Sequence, residues 1–534
     1  MDKEKSVIEE IKSYLYNDNI DRYNENIIIF FRNKIKKILD TEAEKKESFK
    51  NEDDLNETTK KIIKIIHIFS KSPFTTQEET SFKLKIERKK LISINALIRK
   101  LKIAQDIITN FGIAKKHWIN TIIPVSKSGS LMNYKKNKYQ FPFRVILFPG
   151  LSCMFECTFC GRNYQASYKR NSLDEGMKAF FRLIDESPSP KNDENRFYIS
   201  GGLEPLTNPK IGSLISYLKD RGFNSSMYTN AYMLTSKYLF KNSEIFNLTS
   251  LRVSAYGVDE KKTFEVTKRK NAFNIVKKNI KEYLIAKNQK NNQTRFGLNF
   301  VILKNQSEDV INMLKMISSI NKSIDNKNKK NNFDFLTLRE DFRLFGERIN
   351  NSDRKNLLET FNTVDLMLKN DPYLENLFID YGFALDPIRK GYLGERFQNI
   401  IINLKELEEF KLVGAPQISV VVDLYGDVYL WREAGFLDRP GVKRYIAGNL
   451  IKDGSMENII SRFIKNRPEI IIKDSDRDYL DAWDHVVAKL VVQNQKDDTF
   501  GIPFEDGPIN DRIYQDAQES LMTNKYVESY PSNR

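Results

Sequence analysis

The spacing of apolar residues changes near residue 140. Before it, in residues 1–135, apolar positions recur at helical intervals in Ile8–Leu15, Ile27–Leu39 and Leu91–Ile108, around the charged stretch Thr41–Lys61. This pattern predicts an N-terminal helical accessory region. In residues 140–370, short apolar runs alternate with amphipathic ones. Strands are expected at Phe143–Phe148, Arg196–Ser200, Ser225–Thr229, Leu251–Ala255, Phe296–Leu303 and Phe333–Leu338. Helices are expected at Asp174–Asp185, Lys210–Asp220, Ser236–Phe240, Ala272–Ala286, Ser307–Ile317 and Lys355–Leu368. Strand and helix alternating in this way imply a parallel sheet, and right-handed crossovers curl it into an α/β fold, a partial (βα)6 barrel of TIM type. Residues 371–498 then read as a C-terminal extension. It holds Phe378–Ala384, a hairpin through Ile418–Trp431 turned at Tyr425-Gly426-Asp427, and a helix at Leu480–Gln493; residues 499–534 form a polar tail.

Composition narrows the class. A chain of 534 residues that is 40% hydrophobic can bury a large core. Its longest apolar runs, such as Ile27–Phe31, are far too short to cross a bilayer, and MDKEKSVIEE carries no secretory pattern. A cytoplasmic protein with no membrane partner is the expectation. The net charge of +15, from 86 Lys+Arg against 71 Asp+Glu, suits an acidic partner or a nucleotide diphosphate. Basic and acidic residues are interleaved throughout, however, and no RNA- or DNA-binding pattern accompanies them, so no nucleic-acid partner is expected.

The three cysteines of the chain, Cys153, Cys157 and Cys160, fall in one loop, CMFECTFC, directly after the first expected strand. Barrels of this kind carry their chemistry at the carboxyl ends of the strands, which is where this loop lies. Three thiolates cannot complete a four-sulfur zinc site, and His67, His117 and His485 are remote in sequence. They can hold three irons of a [4Fe–4S] cluster, leaving the fourth iron open to another ligand. The C-x3-C-x2-C spacing resembles that of the radical S-adenosylmethionine (SAM) enzymes, in which the open iron chelates the methionine end of SAM. That resemblance places Phe159 against the adenine.

The second expected strand ends in Ile199-Ser200-Gly201-Gly202-Leu203-Glu204-Pro205, similar to the G-G-E-P motif of that superfamily with one residue inserted. Glycines there let backbone approach a ligand closely. The resemblance gives Gly201, Gly202 and Glu204 the ammonium group of SAM. Thr229 and Asn230 end the third strand and Ser254 the fourth, where the ribose and carboxylate of SAM should lie. Arg269, beyond the fourth strand, could pair with that carboxylate. The hairpin Val420–Trp431 lacks the cysteines that would hold a second cluster, which favours redox-neutral chemistry.

Several segments together resemble one narrower family: Tyr198–Pro209, Tyr228–Asn230, Leu338–Asp341, Ile379–Leu385 and Gly426–Phe436, extended by Arg444–Gly448 and Asp481–Gln493. It comprises the radical SAM ammonia-lyases (deaminases) acting on thymidine-diphosphate-4-amino-4,6-dideoxyglucose in desosamine-type deoxysugar biosynthesis. The resemblance implies SAM as co-substrate, a flavodoxin or ferredoxin as reductant, and a nucleotide-sugar substrate. It implies hydrogen abstraction from carbon 3 by a 5′-deoxyadenosyl radical and loss of ammonia from carbon 4, giving a 3-keto-4,6-dideoxy sugar. Glu340, Asp341 and Glu433 are candidates for managing protons, Arg339 and Arg432 for clamping the diphosphate, and Tyr381 for facing sugar or base. Glu156, Thr158 and Gly161-Arg162-Asn163-Tyr164 depart from the family pattern. A radical SAM dehydrogenase or epimerase on another nucleotide sugar therefore stays open, as does, outside enzymes, a metal-binding sensor.

Overall fold

The computed structural model describes residues 128–160, 167–190, 196–324, 331–341, 351–381, 385, 388–389, 414–436, 442–466 and 484. The N-terminal helical expectation, the helix at Leu480–Gln493 apart from Asp484, and the polar tail lie outside these residues.

Among the described residues ten strands form one open sheet. The parallel strands run in chain order: β1 (Arg144–Phe148), β2 (Phe197–Ile199), β3 (Ser225–Thr229), β4 (Ser250–Ala255), β5 (Arg295–Ile302), β6 (Phe335–Glu340) and β7 (Phe378–Asp380). Strand β8 (Ser419–Asp423) returns to the far side and pairs in parallel with β1; β9 (Asp427–Tyr429) and β10 (Ile446–Asn449) add antiparallel strands beyond it. The expected hairpin thus exists, turned at Gly426 with φ +76°, a conformation glycine adopts without strain. It is no appendage, because β8 continues the main sheet through five register pairs from Arg144↔Ser419 to Phe148↔Asp423. The expected βα order holds, and the sheet is wider than that pattern by β7 at one edge and β8–β10 at the other.

Strand alternation assigns the two faces. Val145, Leu147, Ile199, Met227, Leu251, Val253, Leu298 and Leu336 point into the layer between sheet and helices. The helix Ser172–Glu186 shows how that layer forms: it buries Leu173, Met177, Phe180, Leu183 and Ile184 at helical spacing and exposes its charged side. Full burial of each large apolar side chain contributes about 1.5–3 kcal/mol. The other face is more polar. Tyr228 on β3 is the register partner of Arg252 on β4, and Arg252, fully buried, donates to the Thr337 hydroxyl at 3.0 Å and lies 4.2 Å from the Phe335 ring centre. The helix Glu260–Thr267, capped by the Asp259 carboxylate on the Lys262 N–H, was not expected from the sequence because its apolar positions are few.

Candidate active site

A cavity of about 240 Å3 opens at the carboxyl ends of the strands. It is lined by Cys153, Cys157 and Cys160, by Gly201–Pro205 and Tyr228–Asn230, and by Arg339 and Arg432.

The segment after β2 buttresses the cysteine loop. The Thr207 hydroxyl accepts the N–H of Leu151 at 2.9 Å and of Ser152 at 3.2 Å and lies 2.6 Å from the Glu204 carbonyl, to which it donates. Asn208 donates to the Pro149 carbonyl at 2.9 Å, and the Glu204 N–H to the Ser152 carbonyl at 2.9 Å. On the opposite side the loop is tied to the helix Glu260–Thr267, through Glu156 N–H to Thr267 and Thr158 N–H to Val266. The loop is therefore held on both flanks by backbone-directed bonds, and its thiols face the cavity between them. Phe155, between the first two cysteines, is buried edge-on to Tyr232 and Tyr256, each at 5.4 Å.

Two glycine motifs far apart in sequence meet at one ring. A side chain at Gly202 would start 2.8 Å from the Phe148 ring, and one at Gly435 would start 2.8 Å from the same ring. The end of β1 thus sits between the glycine pair after β2 and the Arg432–Gly435 turn, and both must lack a Cβ.

Glu204 is buried, and its carboxylate accepts from the Leu206 N–H (3.1 Å), the Thr229 hydroxyl (2.6 Å) and the Asn230 N–H (2.7 Å). Burial pushes the carboxyl upward while those three donors favour the anion. The side chain acts first as a clamp between β2 and β3. Asn230 in turn extends its amide to the Cys153 sulfur at 3.7 Å and the Met154 sulfur at 3.1 Å. A donor aimed at a thiolate is the kind of contact that sets the potential of a cluster. Among the described residues no group of His, Cys, Asp or Glu is gathered as a single metal ion requires. The three thiols line one cavity instead, as a cluster with separate corners requires. The residues fit such a group: Cys153, Cys157 and Cys160 would hold it, and Gly201, Gly202, Thr229, Asn230 and Ser254 line the space for a ligand at its open corner.

Of the proposed substrate residues, the structure brings Arg339 and Arg432 into the cavity wall. Arg339 lies 3.9 Å from the Asp380 carboxylate; Arg432 donates to the Ser200 hydroxyl at 3.1 Å and stands 5.5 Å from the Tyr228 ring centre. Glu340 does not join them. Strand β6 extends to Glu340, and its alternation turns Arg339 inward and Glu340 toward the helices; Asp341 is likewise buried outside the cavity wall. Tyr381 continues the alternation of β7 and packs edge-on against Phe361 at 4.8 Å in the core. Arg269 is exposed above the Tyr232 ring at 5.4 Å, because the left-handed Lys268 (φ 56°) ends the preceding helix and turns the chain outward. Phe159 is stacked on Tyr256 at 6.0 Å rather than lining the cavity, where Phe155 appears instead. The Glu433 side chain lies outside the described residues.

Sequence reasoning missed Ser200, Asn299 and Tyr256 in the cavity wall and gave Tyr228 no role. Asn299 had a signal: it is the polar interruption near the end of the apolar strand Arg295–Ile302, beside Ser254 in register.

A parallel partial barrel with a three-thiol loop at the carboxyl end of its first strand is the arrangement that the resemblance to radical SAM enzymes leads one to expect. No family model matches the chain. It is 30% identical over 449 residues, 83% of its length and 89% of the relative's, to dTDP-4-amino-4,6-dideoxy-D-glucose ammonia-lyase from Streptomyces venezuelae. The chain belongs to the family of that ammonia-lyase. Among solved structures, it is similar to Streptococcus suis SuiB bound to S-adenosylmethionine (TM-score 0.39, 15% identity, 75% of this chain and 80% of that one). It is also similar to anSMEcpe with bound AdoMet and Cp18Cys peptide (TM-score 0.39, 16% identity, 73% and 97%).

Proposed function

We propose that this chain releases ammonia from carbon 4 of a nucleotide-linked 4-amino-4,6-dideoxy sugar, after hydrogen abstraction at carbon 3, to leave the 3-keto-4,6-dideoxy sugar. The observation that carries the reading is one cavity lined by both the three thiols and two guanidinium groups, in a chain of the ammonia-lyase family. Cys153, Cys157 and Cys160 would hold a cluster that, once reduced and with SAM bound, would supply a 5′-deoxyadenosyl radical. The chain's own residues then have to bind, orient and exclude water. Cys153, Cys157 and Cys160 fix where the radical arises. Arg339 and Arg432 suit a diphosphate, since planar guanidinium groups grip phosphate oxygens through paired donors. Phe148, Phe155 and Phe436 give the cavity apolar walls that keep water from a reactive carbon radical.

The electron must come from outside, and an acidic one-electron carrier of the flavodoxin or ferredoxin kind suits the exposed run Lys268-Arg269-Lys270, next to the two backbone ties of the cysteine loop. Three cysteines gathered in one loop as candidate cluster ligands suit a reducing cytoplasm. Among the described residues no helix is long and apolar enough to cross a membrane.

The test is anaerobic turnover with TDP-4-amino-4,6-dideoxyglucose, scoring ammonia and keto sugar together. Equal amounts of both are expected. Ketone without ammonia moves the protein to the dehydrogenases.

A further inference from the structure

Loss of ammonia from a carbon-3 radical needs a proton at the departing nitrogen and an acceptor for the proton of the carbon-3 hydroxyl. Of the carboxylates that sequence put forward for this task, Glu340 and Asp341 are not among the residues of the cavity wall and the Glu433 side chain lies outside the described residues; Glu204, on the wall, already accepts from three protein donors. Beyond the cysteines and two arginines, the titratable groups left on the described wall are two phenols, Tyr228 and Tyr256. Tyr256 packs with the cysteine loop, stacked on Phe159 and edge-on to Phe155.

Tyr228 packs beside two guanidinium groups instead. It is half-buried, with its ring centre 5.7 Å from the Arg252 guanidinium and 5.5 Å from that of Arg432. Each cation has its own anchor, Thr337 for Arg252 and Ser200 for Arg432, so the ring is fixed from two directions. A diphosphate gripped by Arg432 places the attached sugar next to this ring. The neighbouring residues Thr229 and Asn230 lead directly to Glu204 and the Cys153 sulfur. Tyr228 therefore lines the same cavity as the thiols, beside the guanidinium that would hold the diphosphate.

Resting on the ammonia-lyase reading, we propose that the Tyr228 phenol touches the sugar and relays the proton between its carbon-3 hydroxyl and its carbon-4 nitrogen. The carbon 4–nitrogen bond breaks with both electrons going to nitrogen, which takes the phenol proton. The phenol recovers a proton from the carbon-3 hydroxyl, whose C–O bond becomes a carbonyl, and the unpaired electron moves to carbon 4. The phenol ends unchanged and this step needs no outside electron; the carbon-4 radical then takes one electron, from the one-electron carrier that serves the cluster, and one proton to become the CH2 of the keto sugar.

Tyr228→Phe separates ring from hydroxyl, since it keeps both guanidinium contacts. The variant and wild type are compared for thermal melting, iron content, TDP affinity by calorimetry, and the ratio of ammonia to 5′-deoxyadenosine formed anaerobically with dithionite and the aminosugar nucleotide. The expected result is unchanged melting, iron and TDP affinity, continued 5′-deoxyadenosine formation, and an ammonia ratio about 100-fold lower. A ratio equal to wild type overturns the relay. So does a parallel fall of both products, because that marks a loss of positioning alone. Wild type that forms 5′-deoxyadenosine and no ammonia overturns the lyase reading itself, and the relay with it.

Discussion

The Glu204 carboxylate accepts the Asn230 backbone N–H at 2.7 Å across the gap between β2 and β3, and the same Asn230 reaches the Cys153 sulfur with its side chain. One buried carboxylate thus fixes the residue that faces a thiol. Glu204→Gln retains the shape and one acceptor but turns an amide donor on N–H and O–H groups that need acceptors. The loss expected is about 1–3 kcal/mol of stability, with weaker SAM binding and iron content near that of wild type. Thermal melting, calorimetry with SAM and iron assay on reconstituted protein check it; unaltered SAM affinity would remove the clamp from any role in the ligand site.

Gly202 and Gly435 act on one ring, which makes a coupling measurable. Gly202→Ala and Gly435→Ala should each cost about 1–3 kcal/mol, since a methyl group 2.8 Å from Phe148 forces a shift in a packed site. Both contacts fall on the same two ring atoms, Cδ2 and Cε2, so any shift that relieves one alters the other. The double variant should therefore depart from the sum of the singles by at least about 0.5 kcal/mol. Additive urea midpoints would mean that the two contacts relax independently.

Arg432→Lys keeps the charge and removes the planar fork that now meets Ser200 and flanks Tyr228. TDP should bind about 10–100-fold more weakly, the equivalent of about 1.5–3 kcal/mol for charged hydrogen bonds, while 5′-deoxyadenosine formed without sugar nucleotide stays near wild type. Calorimetry with TDP alone decides: an unchanged dissociation constant removes Arg432 from the diphosphate site.

What the sequence disclosed follows the range of the interaction involved. Strand–helix alternation is local and periodic, so β1 to β6 were legible, as were the cysteine loop and the two glycine segments, whose residue types chemistry restricts. Strand β8 was legible as a hairpin arm but not as the neighbour of β1, because its partner is remote in the chain. The inward direction of Arg339 and the outward direction of Glu340 hinged on where β6 ended. Sequence placed that end at Leu338, two residues early, so both side chains looked like free rim groups. Tyr381 has an aromatic body that suits sugar or core equally well, and only the position of Phe361 decided for the core.

Asp423 offers a test by pH. At the end of β8 its buried carboxylate accepts from the Tyr168 hydroxyl at 2.9 Å, the Tyr429 hydroxyl at 3.1 Å and the N–H groups of Tyr425 and Asp427. Tyr168 also donates its N–H to the Leu151 carbonyl, so this carboxylate connects the hairpin to the start of the cysteine loop. Burial, then the nearby Asp427, push the carboxyl up to about 7 against those donors. A folded state that holds its proton to higher pH than the unfolded chain loses stability as pH rises. The window runs from the ordinary aspartate value near 3.8 to about 7, and the loss across it is at most about 4 kcal/mol. Asp423→Asn retains an acceptor for Tyr168 and has no proton to release, so its urea midpoint should vary less than that of wild type between pH 4.5 and 7.5. Parallel pH curves for the two proteins would show that the carboxylate stays ionised throughout, its four donors outweighing burial.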